Sequence, residues 1–471
     1  VAYSFYHVEI MAFTFYIKTF GCQMNERDSE IISQSLAQHD YIETIEMDSA
    51  DLIILNTCSI RAKAEQKVMS LLGYLRKNKK RNPSLKICVA GCVAQQLGNS
   101  IVERMPHVNL VLGTQHIYAL PDILETSVNV SQVYTSLSSD YDIPRFIPKG
   151  DEDLQSKSSS IDKNRALSRF VTIMQGCNNY CTYCVVPYTR GREVSRKFND
   201  IIDEIKALVD KGVEEFTLLG QNVNSYGQTN NVREDGTPCS FPQLLRAVAA
   251  IQGVIRLRFT TSNPKDLSDD LMRCFRDLEN LCPQFHLPVQ SGSNNVLKRM
   301  NRKYTVEKYK ELVAALRGYC PAIAVTTDII VGFPGETEGD FEKTMDLLET
   351  VRFDGSFSFK YSDRPGTASL NLNNKVPEEE KSRRLYRYQE RQNEISLENN
   401  SRYIGKILKV TVEASEEQTN EEYTYKCRAL TNHVVHTLSN AEIFPGQTIS
   451  VEIQQAGQHS LKGKIVDIPK K

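Results

Sequence analysis

Hydrophobic and polar positions switch register repeatedly along the first quarter of the chain. Residues 14–20 are β-rich, and residues 26–38 follow in a helical pattern. Residues 51–56 (DLIILN) form a continuous apolar run of the buried-strand kind, before a helical stretch over 60–80. Residues 85–90 repeat the strand pattern, 93–104 read as helix, and 108–113 as a fourth strand. Such alternation predicts an open, mostly parallel α/β sheet over residues 13–130. Residues 131–164 are polar, with a Lys/Ser run at 156–160, and read as a linker. Six strand candidates follow, at 169–174, 215–219, 256–260, 285–287, 322–331 and 356–361. Helical stretches separate them at 200–211, 241–251, 269–276, 306–316 and 339–350. Six βα-type units predict a TIM-like barrel or partial (β/α)6 barrel over residues 165–400. Its connecting helix, 377–400, opens with Pro and acidic residues, a helix-start signal. Residues 401–471 hold five short strand patterns, at 406–414, 423–430, 433–438, 447–454 and 460–468. They predict a small OB-like all-β barrel. Residues 1–12 are expected to be an N-terminal extension outside the fold, with Met11 as the candidate start.

The 471 residues allow two or three domains, and the fractions of 40% hydrophobic and 24% charged residues are those of an ordinary globular chain. No apolar run is long enough to span a membrane. The first residues lack a basic segment and a small-residue cleavage site, so no signal peptide is expected. The formal net charge is −1, so any nucleic-acid contact must come from local patches. Candidates are residues 76–81 (RKNKKR) and Arg383, Arg384, Arg387 and Arg391 of the connecting helix. The last domain adds Lys406, Lys409, Lys426, Arg428, Lys462 and Lys464, beside an acidic stretch at 416–422. Solvated helix surfaces are the alternative for the first two groups. Twelve cysteines without a secretion signal point to metal or redox chemistry in a reducing compartment, the cytoplasm.

The placement of those cysteines carries more than their number. Cys177, Cys181 and Cys184 are spaced CxxxCxxC in MQGCNNYCTYCVVPYTRGREVSR, with Gly176 before them and Pro187 after. Soft thiolates favour iron–sulfur clusters or zinc. A structural zinc site would be closed by a fourth Cys or His, and none follows within a few residues. A zinc knuckle with a distant fourth ligand stays open as the alternative. Cys22, Cys58 and Cys92 each sit just past a different strand of the first domain. In an open α/β sheet those ends share one edge, so the three thiols should converge on a second site with an open position. The alternative for each alone is a small buried hydrophobe, which is the reading preferred for Cys88 inside its strand. In the barrel, the carboxyl ends of the later strands carry 220–222 (GQN), 261–263 (TSN), 288–293 (PVQSGS), 332–336 (GFPGE) and 361–362 (YS).

The CxxxCxxC motif, with the aromatic Tyr183 inside it, resembles the radical S-adenosylmethionine (SAM) superfamily. That resemblance implies a 4Fe-4S cluster on Cys177, Cys181 and Cys184 whose open iron chelates SAM, which is cleaved to a 5′-deoxyadenosyl radical. It further implies that Gly220, Gln221 and Asn222 approach the methionine amino group, and that Ser262 and Gln290 contact ribose or carboxylate. Val331 and Phe333 would lie at the adenine. Arg190, Arg192 and Arg196 follow the cysteine loop and read either as surface charges or, with a bound carboxylate or phosphate close by, as an arginine fork on that anionic group, Arg192 above all. The domain order resembles the methylthiotransferases, which join a cluster domain, a radical-SAM barrel and a TRAM domain. Residues 20–25 (FGCQMN), 56–61 (NTCSIR), 188–193 (YTRGRE) and 286–291 (HLPVQS) resemble the MiaB-type branch. That branch implies an auxiliary 4Fe-4S cluster on Cys22, Cys58 and Cys92 and two molecules of SAM. The substrate would be N6-isopentenyladenosine beside the anticodon, and the product its 2-methylthio form. The implied partners are the tRNA anticodon stem-loop and an electron donor such as flavodoxin or ferredoxin, with the chain a monomer. Two competing readings are methylthiolation of threonylcarbamoyladenosine or of a ribosomal protein. A third, of another class, is an iron–sulfur RNA-binding scaffold without turnover.

Overall fold

A computed structural model describes residues 13–59, 62–126, 130–147, 168–419 and 422–468. The expected N-terminal extension, the Lys/Ser run and half of the expected linker lie outside the described residues. The chain forms two compact units, Val1–Phe146 with Val186–Arg192, and Ile147–Val185 with Glu193–Lys471.

In the first unit the strands are β1 (Thr14–Thr19), β2 (Ile42–Glu43), β3 (Leu52–Thr57), β4 (Lys86–Gly91), β5 (Leu110–Leu112) and β6 (Gln132–Tyr134). They form one sheet in the order β2-β1-β3-β4-β5-β6, and every pairing is parallel. The run DLIILN is apolar throughout because β3 is covered on both faces. Leu52 and Ile54 enter one core with Phe15, Ile31 and Leu112, while Ile53 and Leu55 enter another with Leu72 and Val89. The helices are α1 (Gln23–Ala37), α2 (Ala62–Arg81), α3 (Cys92–Leu97), α4 (Asn99–Arg104) and α5 (Leu120–Thr126). The helix expected over 93–104 is broken at Gly98, whose φ of 49° ends α3. The linker expected from residue 131 is displaced by β6, which pairs with β5 through Leu110↔Gln132 and Leu112↔Tyr134. A three-residue edge strand is too short to show a periodicity, so it reads as polar loop.

The second unit opens with β7 (Ser168–Thr172) and a small antiparallel pair, β8 (Met174–Gln175) with β9 (Val194–Ser195). Between them, α6 (Val186–Thr189) belongs to the first unit. The remaining barrel strands are β10 (Glu215–Leu219), β11 (Arg256–Phe259), β12 (Gln284–His286), β13 (Ala324–Val331) and β14 (Gly355–Lys360). They form two parallel sheets, β7-β10-β11 and β12-β13-β14, joined by the single bridge Leu257↔Leu281. No pairing joins β7 to β14 among the described residues, so the barrel is open. Around it run α7 (Phe198–Val209), α8 (Phe241–Ala249), α9 (Asp269–Asp277), α10 (Asn294–Arg299), α11 (Val306–Tyr319), α12 (Glu338–Val351) and α13 (Glu378–Ser401).

The arginines of α13 do not form the free nucleic-acid face considered above. Arg383 pairs with Glu338 at 2.7 Å, and Arg387 with Glu342 at 2.8 Å. Arg391 pairs with Glu349 at 2.5 Å, and buried Arg384 with Glu336 at 2.8 Å. These are struts to α12 and to the turn before it.

The last five strands are β15 (Ile407–Thr419), β16 (Glu422–Ala429), β17 (Val434–Ser439), β18 (Thr448–Ala456) and β19 (Ser460–Asp467). They close a barrel in the order β15-β16-β17-β19-β18, parallel only between β17 and β19. It docks on the amino-terminal ends of the (β/α) strands. Buried Arg258 donates to the carbonyls of Leu430 (3.0 Å) and Ala429 (3.1 Å). Glu215 accepts from Arg258 at 2.9 Å and from Arg256 at 2.7 Å. No helix of the described residues is long and apolar enough to cross a membrane.

Truncating one side of this buried ionic joint leaves charge and carbonyls without partners. Arg258→Met should therefore cost about 3 kcal/mol. Limited proteolysis should release the C-terminal barrel from the variant before the remainder unfolds. Indistinguishable cleavage patterns and thermal midpoints for the variant and the parent would show that the joint is not held there.

Candidate active site

In the first unit the sheet order reverses about β1, which has β2 on one side and β3 on the other. Ligands of open α/β sheets bind at such a switch point, outside the carboxyl ends of the strands. Cys22 caps the start of α1 after β1, Cys58 follows β3, and Cys92 opens α3 after β4. The three sequence-predicted residues are brought together there. A hydrogen bond from Cys58, aided by the Arg190 charge, holds the Cys22 thiol down to about 6 against the opposing effect of burial. Burial pushes the Cys92 thiol up, partly countered by the charge of Arg190. Close backbone approach shapes the site. A Cβ on Gly91 would lie 2.5 Å from Asn56 Oδ1, and its φ is 91°. Asn25 locks β3 by donating to Asn56 Oδ1 and to the Thr57 carbonyl, both at 2.9 Å. Cys88 is wholly buried in the core, as expected.

The segment Val186–Arg192 adds a cation to this unit. Arg190 is only 3% exposed, and its Nη2 lies 2.6 Å from Asp28 Oδ2. Its Nη1 is buried without a hydrogen-bond partner. Arg192, expected at an anionic group, is exposed.

In the second unit the CxxxCxxC loop follows the first barrel strand and is clasped from outside. Asn301 donates to the Tyr180 carbonyl at 2.9 Å, and Thr182 N–H donates to the Met300 carbonyl at 3.1 Å. Two N–H groups reach sulfur: Asn179 Nδ2 to Cys177 and Arg302 Nη1 to Cys181, each at 3.4 Å. Donors on sulfur suit a thiolate, the form that ligates metal. Burial pushes the Cys177 thiol up. Among the described residues no three His, Cys, Asp or Glu groups are arranged around a single ion.

The other expected contacts line the carboxyl ends of the strands. Gly220 admits Met174, whose Cγ would lie 2.3 Å from an added Cβ. Gln221 Oε1 accepts from Gly176 N–H at 2.6 Å, leaving its Nε2 buried without a partner. Asn222 Oδ1 and Ser262 Oγ are likewise buried and unpartnered. Gln290 holds a positive φ of 76° beside β13. The side chains of Val331 and Phe333 are fully buried. Phe333 packs edge-on against Tyr183 of the cysteine loop, at 6.4 Å, and against Tyr361, at 5.2 Å.

Sequence reasoning assigned no role to Asn179, Arg302 or Glu193. Glu193 is buried, and its carboxylate accepts from Ser225 Oγ at 2.8 Å. Burial, against that hydrogen bond, pushes its pKa up to about 7. Its place in the motif YTRGRE was the only sequence signal.

Two family models match the chain: Uncharacterized protein family UPF0004 over residues 14–113, and the Radical SAM superfamily over residues 171–348. A tRNA-2-methylthio-N(6)-dimethylallyladenosine synthase of Desulfotalea psychrophila is 60% identical over 455 residues, covering 96% of this chain and 99% of that protein. The protein of the same name from Acetivibrio thermocellus is 45% identical, covering 96% of this chain and 90% of its own length. Among solved structures, the radical S-adenosylmethionine methyltransferase TsrM of Kitasatospora setae, with tryptophan and a SAM analogue bound, matches with a TM-score of 0.54. That match has 13% identity and covers 87% of this chain and 79% of TsrM. At such identity the likeness concerns the fold.

The Glu193 carboxyl titrates at about 7 in the fold against an ordinary value of 4.5. The folded state thus holds the proton longer, and this contribution to stability, full below pH 4.5, is lost as pH rises through 7. Glu193→Gln removes that loss. The variant's thermal midpoint should gain on the parent's between pH 5 and pH 8.5, at equal iron loading. A constant difference across that range would show that Glu193 ionises as an ordinary carboxyl.

Proposed function

The chain belongs to the tRNA-2-methylthio-N(6)-dimethylallyladenosine synthase family of radical SAM enzymes, and from that membership we propose that it methylthiolates carbon 2 of N6-isopentenyladenosine beside the tRNA anticodon. The observation that carries this reading is the 60% identity to a protein of that name across 96% of the chain. Two sets of three cysteines, each at the carboxyl ends of parallel strands, support it. The target C–H is neither acidic nor hydridic, so side-chain acid–base or nucleophilic chemistry has little purchase on it. Two bound 4Fe-4S clusters and two molecules of SAM supply the one-electron step, the sulfur and the methyl group that no side chain can.

The protein's residues hold and orient these groups. Cys177, Cys181 and Cys184 ligate the radical-site cluster, with Asn179 and Arg302 donating to the sulfurs. Gln221 Nε2, Asn222 Oδ1 and Ser262 Oγ are buried polar atoms in need of partners, which polar groups of SAM provide. Cys22, Cys58 and Cys92 ligate the auxiliary cluster. The OB-like barrel suits capture of the anticodon stem-loop, whose unstacked bases can be splayed out for chemistry. We assign the protein to the cytoplasm, as a monomer reduced by a flavodoxin or ferredoxin.

Anaerobically reconstituted protein, given SAM, a reductant and tRNA bearing isopentenyladenosine, should add a methylthio mass to that nucleoside. Cys58→Ala should still release 5′-deoxyadenosine from SAM while product formation stops. Product from that variant would remove Cys58 from the auxiliary set. Release of 5′-deoxyadenosine by the parent without methylthio gain would redirect the search to the other methylthiotransferase substrates.

A further inference from the structure

Arg190 is placed where a cation is costly. It is 3% exposed, and the ion pair with Asp28 satisfies only one end of its guanidinium. Its charge acts on Cys92 and on Cys22. Nη1 makes no hydrogen bond and is closed to solvent. A buried unsatisfied donor costs on the order of 1–3 kcal/mol. A buried ion pair could be exchanged for apolar side chains of similar volume at little loss. Ion pairing to Asp28 therefore does not by itself explain a guanidinium here. What distinguishes the place is the three thiols, which carry a concentrated negative charge once they hold metal.

We propose that Arg190 is the positioning residue of the Cys22–Cys58–Cys92 site, and that its unpartnered Nη1 donates a hydrogen bond to an anionic sulfur held there. The inference rests on those three cysteines being the auxiliary ligands. Asp28 fixes the guanidinium from one side, 2.6 Å from its Nη2. The sulfur has two possible sources of one chemistry: a sulfide of the cluster itself, or a small thiolate added at the open iron. Hydrogen bonds to sulfur and local charge are the levers by which a protein sets cluster potential. Losing this bond should make the cluster harder to reduce, or make the added thiolate bind more weakly.

The test uses the full chain with Cys177, Cys181 and Cys184 all changed to Ala, so that only the auxiliary cluster is observed. Into this parent go two changes, Arg190→Lys and the pair Arg190→Met with Asp28→Asn. The pair removes one positive and one negative charge, so a shift in it reports the lost hydrogen bond rather than net charge. It also avoids stranding Asp28, which guards the fold. Iron content, the EPR-monitored reduction midpoint and the Kd for methanethiolate are measured on each.

With iron retained, the paired variant should shift the reduction equilibrium about tenfold toward the oxidised form, about 59 mV for one electron, or raise the Kd about tenfold. Arg190→Lys, which keeps the charge but not the planar fork, should fall between. A midpoint shift with unchanged Kd assigns the bond to cluster sulfide. A changed Kd assigns it to the added thiolate. Unchanged midpoint and Kd in an iron-loaded paired variant would overturn the role of Arg190. No iron in the parent itself would overturn the ligand assignment, and with it this inference.

Discussion

Every strand of a parallel sheet delivers the residue that follows it to the same edge, and the set of Cys22, Cys58 and Cys92 depends on that constraint. Cys22, Cys58 and Cys92 are 36 and 34 residues apart in sequence (22 to 58, 58 to 92). They follow β1, β3 and β4, which are neighbours in the sheet. Adjacent strands lie about 4.8 Å apart, so three consecutive strand ends fit within about 10 Å. No local motif is needed to gather these thiols. What the chain must supply is room at each strand end. Gly91 provides it where any Cβ would strike Asn56 and the Thr57 carbonyl.

Convergence creates an electrostatic problem that the two units meet in the same way. Three thiolates in a buried place repel one another and lose hydration, and each site sets an arginine against sulfur. Arg302 donates to Cys181, and the charge of Arg190 acts on Cys92. The thiols of the first site are not equivalent. Cys22 is held to about 6 chiefly by Cys58, whereas burial raises Cys92. Metal binding must displace the proton that remains on each thiol.

What could be read in advance followed from patterns that are local or repeated. The apolar run before Cys58, the six βα units and the five closing strands all carry enough residues to show a period. Elements of two or three residues do not, so β2 and β6 were invisible, and with β6 went the start of the linker. The thiols could be located because each sat at an equivalent strand end. Their supports could not. Arg302 lies 121 residues after Cys181, and Glu193 shows nothing in sequence of the burial that lifts its carboxyl. The partners of the α13 arginines were hidden for the same reason. They are a basic stripe in sequence, but Glu338, Glu342 and Glu349 neutralise it from a helix some forty residues earlier.

The barrel strands also separate two tasks by their direction. Glu215 opens β10 and accepts from the arginines that hold the C-terminal barrel, while Leu219 closes it just before Gly220 and Gln221. Five residues of strand, about 16 Å, lie between these ends. The docking joint is built on the amino-terminal ends and the cysteine loop on the carboxyl ends. A change at Arg256 or Arg258 therefore reaches the thiols only through the stiffness of the strands. The same polarity that gathers ligands at one end frees the other to carry a domain of different fold. A parallel barrel can thus gain a second domain without rebuilding its chemistry.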